Sequence, residues 1–193
     1  TIVWDIEPQA NQTYALHYAP DGGMVIANNV ISGGLSIPLF LDPAGLTDAQ
    51  KAQWPHLAGF TVFRLRSQDL ASVPDILKGQ IAVSASQGGF VVNATGIQIP
   101  GVLDDLYTYD GPLGVTFSSG APAIRVWAPT AKSVKLHLFD SATAANPSQT
   151  VAMTAGGQGV WSAAGDAAWK GKYYLFEVEV YVHSTGQVEH NLV

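Results

Sequence analysis

The sequence predicts an all-β protein: two tandem β-sandwich domains, the second immunoglobulin-like, with one or two short helices in the first. Three observations predict it. Short apolar runs recur along the whole chain, separated by Gly, Pro, Asn and Asp. Several of them alternate apolar and polar residues at the strand period of two, as in Phe60-Thr61-Val62-Phe63-Arg64-Leu65. Only two stretches look helical, and both are short.

In the first half the pattern places strands at 1–6, 13–18, 23–30, 35–41, 59–66, 80–84 and 89–93. Pro20-Asp21-Gly22-Gly23 reads as a hairpin turn. Thr47 is the N-cap of a helix over 48–54 that Pro55 stops, and a second helix over 73–78 is closed by Gly79. Residues 97–114 change character, dense in Pro and Gly yet also apolar. That combination predicts a packed junction at 101–114, between a first domain at 1–100 and a second at 115–193. The second domain repeats the strand signal at 123–128, 133–140, around Met153 and Val160-Trp161, at 172–182 and at 187–193. Its last two strands meet at Ser184-Thr185-Gly186. Short strands at this spacing suit an antiparallel sandwich.

Composition narrows the function. Charged residues make up 12% of the 193, about half the usual share of roughly 25%. Such a surface suits a neutral polar ligand or burial against more protein. Nine Lys and Arg, scattered singly under a net charge of −6, form no basic stripe for nucleic acid or anionic lipid. No apolar run approaches the ~18 residues of a membrane span. Thr1 opens directly into Ile2-Val3-Trp4, so no signal peptide is expected, and without an initiator methionine the chain reads as an excised piece. With no cysteine, disulfides, thiolate catalysis and cysteine-ligated zinc are excluded. An exported bacterial protein and a cytosolic one both remain compatible.

A search for catalytic chemistry returns nothing firm. No G-x-S-x-G run is present, and His17, His56, His137, His183 and His190 sit apart without helical metal-site spacing. Gly156-Gly157-Gln158-Gly159 lacks the following G-K-[ST] of a phosphate loop and reads as a hairpin turn. Asp104-Asp105 is the one tempting carboxylate pair. Sequence neighbours point apart, however, whereas an acid–base pair acting on a sugar must face across a bond at ~5–9.5 Å. They are expected to fix the interdomain turn by accepting from backbone amides. Asn11-Gln12-Thr13 and Asn93-Ala94-Thr95 match glycosylation acceptors, a pattern that arises easily by chance. No catalytic residue, cofactor or metal is therefore expected in this chain.

The aromatics say more. Trp127, Trp161 and Trp169 cluster in the second domain, with Tyr173, Tyr174, Phe176 and Tyr181 nearby. An exposed Trp on a sheet stacks on the apolar face of a sugar while amides and Lys take the hydroxyls. The alternative is that the rings fill the sandwich core, as about half should in alternating strands.

The run Arg125-Val126-Trp127-Ala128-Pro129-Thr130-Ala131 completes the picture, together with Val134-Lys135-Leu136-His137-Leu138-Phe139-Asp140, Gly159-Val160-Trp161-Ser162 and Tyr173-Tyr174-Leu175-Phe176-Glu177-Val178. It resembles carbohydrate-binding module family 48, in the version found in pullulanases and plant limit dextrinases. Gly101-Val102-Leu103-Asp104-Asp105-Leu106-Tyr107, Trp54-Pro55-His56-Leu57 and Phe63-Arg64-Leu65 resemble the region preceding that module in the same enzymes. The resemblance covers essentially the whole chain.

It implies a (β/α)8 catalytic barrel of glycoside hydrolase family 13 as the partner, cleaving α-1,6 branch points in pullulan, amylopectin and limit dextrins. All catalytic carboxylates would lie in that barrel, so this chain is expected to be a scaffold and a weak binder of α-glucan such as starch, pullulan or maltooligosaccharide. Glycogen-binding members of the module family hold glucan with two tryptophans and a lysine. Trp127, Lys132, Trp161 and Trp169 are the candidate carbohydrate-binding residues, and by that analogy Trp127 takes the first tryptophan position. The second position falls in the closing hairpin, where Gly186-Gln187-Val188 offers no aromatic. A stand-alone starch- or glycogen-binding protein and an unrelated immunoglobulin-like adhesion module are the alternatives. The resemblance favours a secreted or cell-surface bacterial setting, with the plastid as the other option.

Overall fold

A computed structural model describes residues 1–193. Strands hold 46% of the residues against 17% in helices, so the chain is mainly β, as expected. It divides into two compact units, one of residues 1–76 with 80–97 and one of residues 98–193 with 77–79.

The first unit contains β1 (Ile2–Trp4), β2 (Gln12–Ala19), β3 (Val25–Ala27), β4 (Val30–Ser32), β5 (Leu35–Leu41), β6 (Thr61–Arg64), β7 (Gln80–Gln87) and β8 (Phe90–Gly96), with helices α1 (Asp48–Gln53) and α2 (Val73–Ile76). Six of the strands form one antiparallel sheet in the order β1-β6-β5-β2-β7-β8, and β3 pairs with β4 as a separate hairpin. Strand β5 is shared in succession: Leu35 to Leu39 pair with β2, then Phe40 and Leu41 with β6. Phe63, with no exposed surface, is the centre of the core. The Tyr14 and Trp4 rings lie 4.7 and 6.2 Å from it.

Local chemistry explains the elements and two departures from expectation. Thr47 starts α1 with a full capping box, its hydroxyl accepting from the Gln50 amide at 3.2 Å while Gln50 Oε1 accepts from the Thr47 amide at 3.0 Å. Residues 23–30, expected as one strand, are instead a strand and a turn. Asn28 and Asn29 both adopt left-handed φ (51° and 61°), the conformation of a two-residue hairpin turn, and β4 begins only at Val30. Pro20 to Gly23 do form a turn, closed by the Gly22 amide on the Ala19 carbonyl at 3.2 Å. The turn does not join a hairpin, because β2 pairs with β5 and β7 and not with β3.

The second unit contains α3 (Pro100–Tyr107), β9 (Gly114–Ser118), β10 (Ala121–Trp127), β11 (Ser133–Phe139), β12 (Gln149–Ala152), β13 (Thr154–Ala155), β14 (Val160–Ala164), β15 (Tyr173–Val182) and β16 (Gln187–Leu192). Two four-stranded antiparallel sheets, β13-β14-β10-β9 and β12-β11-β15-β16, enclose the core. Strand β11 shows the logic most simply. Val134, Leu136 and Leu138 are buried, while Ser133, Lys135 and His137 alternate with them on the outer face. Burying three such side chains contributes about 1.5–3 kcal/mol each.

Helix α3 was not expected. Its Pro100-Gly101 start reads as a turn, yet Pro is well suited to the first helical position, where its missing N–H costs nothing. Asp104 and Asp105 consequently lie exposed on this helix, not in a turn, and it is the Asp104 backbone carbonyl that accepts a hydrogen bond, from the Thr108 hydroxyl. Gly156 to Gly159 do connect antiparallel neighbours, β13 and β14.

Candidate functional site

The candidate site grows out of strand β10. Pro122 and Ile124 are buried and Val126 packs on the core, so Ala123, Arg125 and Trp127 face outward from the sheet. Trp127 keeps 39% of its surface accessible, enough to offer a ring. Its indole is not loose. Nε1 donates to the Tyr107 carbonyl at 2.9 Å, at the C-terminal end of α3. The next carbonyl, that of Thr108, accepts from Gln158 Nε2 at 2.7 Å. Gln158 sits in the 3-10 turn Gly157–Gly159 that leads into β14, with a left-handed φ of 55°. The two donors thus hold the end of α3 against the module, beside the ring. Along the same outer face, Arg125 Nη1 donates to Thr116 Oγ1 at 3.3 Å, and Ser162 stands opposite Arg125 in β14. The face combines one indole with hydroxyls, a side-chain amide and a guanidinium, a set suited to a neutral polyhydroxylated ligand.

The other two predicted tryptophans turn toward the core. Trp169 is buried, 8% exposed, in the 3-10 turn Ala167–Trp169. Asp166 caps that turn by accepting from the Ala168 amide at 2.8 Å, and the ring enters the core, where its Nε1 donates to Gln149 Oε1 at 3.1 Å. Trp161 pairs with Val126, packs on the core, and donates Nε1 to the Ala128 carbonyl at 3.0 Å. Trp169 is thereby closed off from solvent, whereas Trp161 is partly buried with its indole N–H committed within the unit. Lys132 lies beyond the end of β10, its amide donating to the Glu179 carbonyl at 2.8 Å, on the facing sheet. Of the three tryptophans, Trp127 is the most exposed.

Two polar clusters lie elsewhere. On the outer face of β11 and β15, Glu177 accepts from Lys135 Nζ at 2.8 Å, contacts His137 Nε2 at 2.9 Å, and has His190 Nδ1 at 3.3 Å. The Lys135 hydrogen bond, followed by that of His137, pulls its carboxyl down to about 2. Thr150 Oγ1 engages the other ring nitrogen of His137 at 2.9 Å, so this cluster is a closed network. In the first unit His17 Nε2 lies 2.8 Å from Ser84 Oγ. This resembles half of a hydrolase triad, but Ser84 is 1% exposed in the middle of β7, where no substrate reaches it, and burial pushes the His17 imidazole below its ordinary value. The pair satisfies buried polar groups. Neither cluster was legible in the sequence, since both join residues 40 or more positions apart.

The fold is thus a tandem of unlike β units, the second a sandwich bearing an outward tryptophan. The family model described as the pullulanase N2 domain matches residues 1–105, and that described as carbohydrate-binding module 48 (isoamylase N-terminal domain) matches residues 112–191. The chain belongs to the pullulanase N2 family and carries a module of family 48 behind that domain. It is 31% identical over 190 residues to pullulanase 1, chloroplastic, of Arabidopsis thaliana, covering 97% of this chain and 19% of the relative. It is 30% identical over 155 residues to pullulanase of Klebsiella pneumoniae, covering 78% of this chain and 14% of that one. The solved structure of Klebsiella pneumoniae pullulanase complexed with maltotriose superimposes with a TM-score of 0.84 at 27% identity, over 96% of this chain and 18% of that one. The chain therefore spans less than a fifth of the length of these relatives.

Proposed function

We propose that this chain is the non-catalytic front region of a pullulanase-type enzyme that hydrolyses α-1,6-glucosidic branch links, and that its second unit binds α-glucan weakly through Trp127. The observation that carries the binding half is the outward, edge-anchored Trp127 indole. The similarity to pullulanases along the chain, including one solved with maltotriose, supports α-glucan as the ligand class and a following catalytic domain as the partner.

The magnitude sets the affinity. With 39% of Trp127 accessible, a glucose unit covering all of that surface removes at most ~100 Å² from water. At ~25 cal/mol/Å² this gives roughly 2–3 kcal/mol before association costs, hence millimolar or weaker binding. Hydrogen bonds from the neighbouring amide and hydroxyls add direction more than strength.

A nuclear magnetic resonance titration with maltoheptaose and β-cyclodextrin, repeated on Trp127→Ala, tests the reading. Saturable shifts lost on substitution support a glucan-binding module with Trp127 as its platform.

A scaffold role rests on a separate observation. Val25, Ile26, Val30, Phe90 and Val92 are all exposed, and Asn29 joins the hairpin to β8, its Nδ2 donating to the Val91 carbonyl at 2.9 Å and its backbone carbonyl accepting from the Val91 amide at 2.8 Å. An apolar surface of this kind suits burial against further protein. Absence of shifts at several millimolar ligand leaves the scaffold as the sole role.

A further inference from the structure

The turn between β13 and β14 does more than connect strands. Gln158 holds a left-handed backbone that non-glycine residues seldom adopt, and such conformations persist where surrounding contacts enforce them. The contacts here are specific. Next to it Gly159, at φ 72°, accepts the Ala128 amide at 2.9 Å, and a Cβ there would come within 2.6 Å of Pro129 Cβ. Val160, one residue further, is the cross-strand neighbour of Trp127. The turn is therefore fixed to the end of the strand that carries the candidate platform.

From that position the Gln158 side chain reaches the Thr108 carbonyl, while the Trp127 indole reaches the Tyr107 carbonyl. Two successive carbonyls at the end of α3 are thus gripped by two side chains. Both carbonyls belong to one short segment, so loosening one donor's hold loosens the segment that anchors the other. A primary amide has two N–H donors and one carbonyl acceptor. One N–H of Gln158 is committed to Thr108, and the residue is exposed. That leaves the second N–H and the carbonyl of this exposed amide for a ligand, a donor and an acceptor that complement a vicinal pair of sugar hydroxyls.

We infer that Gln158 is a positioning residue for the Trp127 indole and a hydroxyl-recognising residue of the same glucan platform. The inference rests on the reading of Trp127 as that platform. Its ligand class is a neutral α-linked glucose oligomer, whose ring face meets the indole and whose hydroxyls meet the amide.

The test uses the 193-residue chain, maltoheptaose, and the variants Gln158→Asn, Gln158→Gly and Trp127→Ala. Asn and Gly both tolerate the left-handed turn; Asn keeps the amide but is one methylene short of Thr108, and Gly removes the side chain. Without ligand, the Trp127 indole N–H resonance should shift, and its exchange with solvent should quicken, in both Gln158 variants. With ligand, each should bind about five-fold more weakly than the parent, the effect of losing one or two modest hydrogen bonds. Trp127→Ala should abolish binding. If Trp127→Ala abolishes binding while both Gln158 variants bind as the parent does, the role of Gln158 is overturned and the platform stands. If the parent does not saturate, or Trp127→Ala binds unchanged, the platform itself falls and this inference with it.

Discussion

Replacing Glu177 by Gln probes the second unit where its electrostatics are most concentrated. The carboxylate holds Lys135, His137 and His190 on one face, and its carboxyl is drawn from 4.5 to about 2. A depressed folded value contributes stability that is complete above the unfolded value and vanishes as the pH falls through the folded one. The window is therefore about pH 4.5 down to 2. Linkage alone sets a ceiling of about 3 kcal/mol. The Glu177 side chain is 21% exposed and that of Lys135 43%, so solvent screening reduces the contribution to about 1 kcal/mol. Glu177→Gln should thus destabilise the second unit by about 1 kcal/mol at pH 7. The difference from the parent should hold to about pH 4.5 and close by pH 2. Urea unfolding followed by the methyl resonances of Leu136 and Leu138 reads this unit, with Val83 as a reference in the other. Equal stability of parent and variant at pH 7, or a Glu177 carboxyl titrating near 4.5, would show that the network does not stabilise the unit.

Two further substitutions test the packing. Trp169→Ala should cost about 3–5 kcal/mol, as expected for a buried indole, and should collapse the chemical-shift dispersion of the second unit while Val83 keeps its native signal; a variant that stays folded would show that Trp169 is not a core residue. Gly159→Ala places a methyl against Pro129 at a left-handed φ and should lower the thermal unfolding midpoint of the second unit, at a cost of about 1–2 kcal/mol. An unchanged midpoint would mean that the turn accommodates the methyl without strain.

What could be read from the sequence follows a physical division. Alternation within one strand is local, so β5 was found at its true bounds and β11 to within one residue. The cap at Thr47 is equally local, a hydroxyl three residues before a glutamine. Turn chemistry was legible only where it is unambiguous. Asn28-Asn29 lacks the glycine of the strongest hairpin signal, so two strands merged into one, and Pro100-Gly101 signalled a turn where Pro starts a helix. Side-chain direction in the site depends on register between distant strands. Trp127 and Trp161 look alike in sequence, yet the pairing Val126 with Trp161 sends one ring outward and the other toward the core. Trp169 was still less accessible to such reasoning, since a capped 3-10 turn and not a strand sets its direction. The anchoring of Trp127 by Tyr107 spans 20 residues and crosses an unexpected helix, so no local pattern announces it.

The central claim is that the outward indole of Trp127 is a glucan-binding surface. The most direct test follows the Trp127 indole N–H resonance of the 193-residue chain through a maltoheptaose titration, with Trp127→Ala in parallel. That resonance should shift saturably with a dissociation constant at around millimolar or weaker, and the variant should show no residual binding. A resonance that stays fixed at several millimolar ligand, or binding that survives in Trp127→Ala, would contradict the claim.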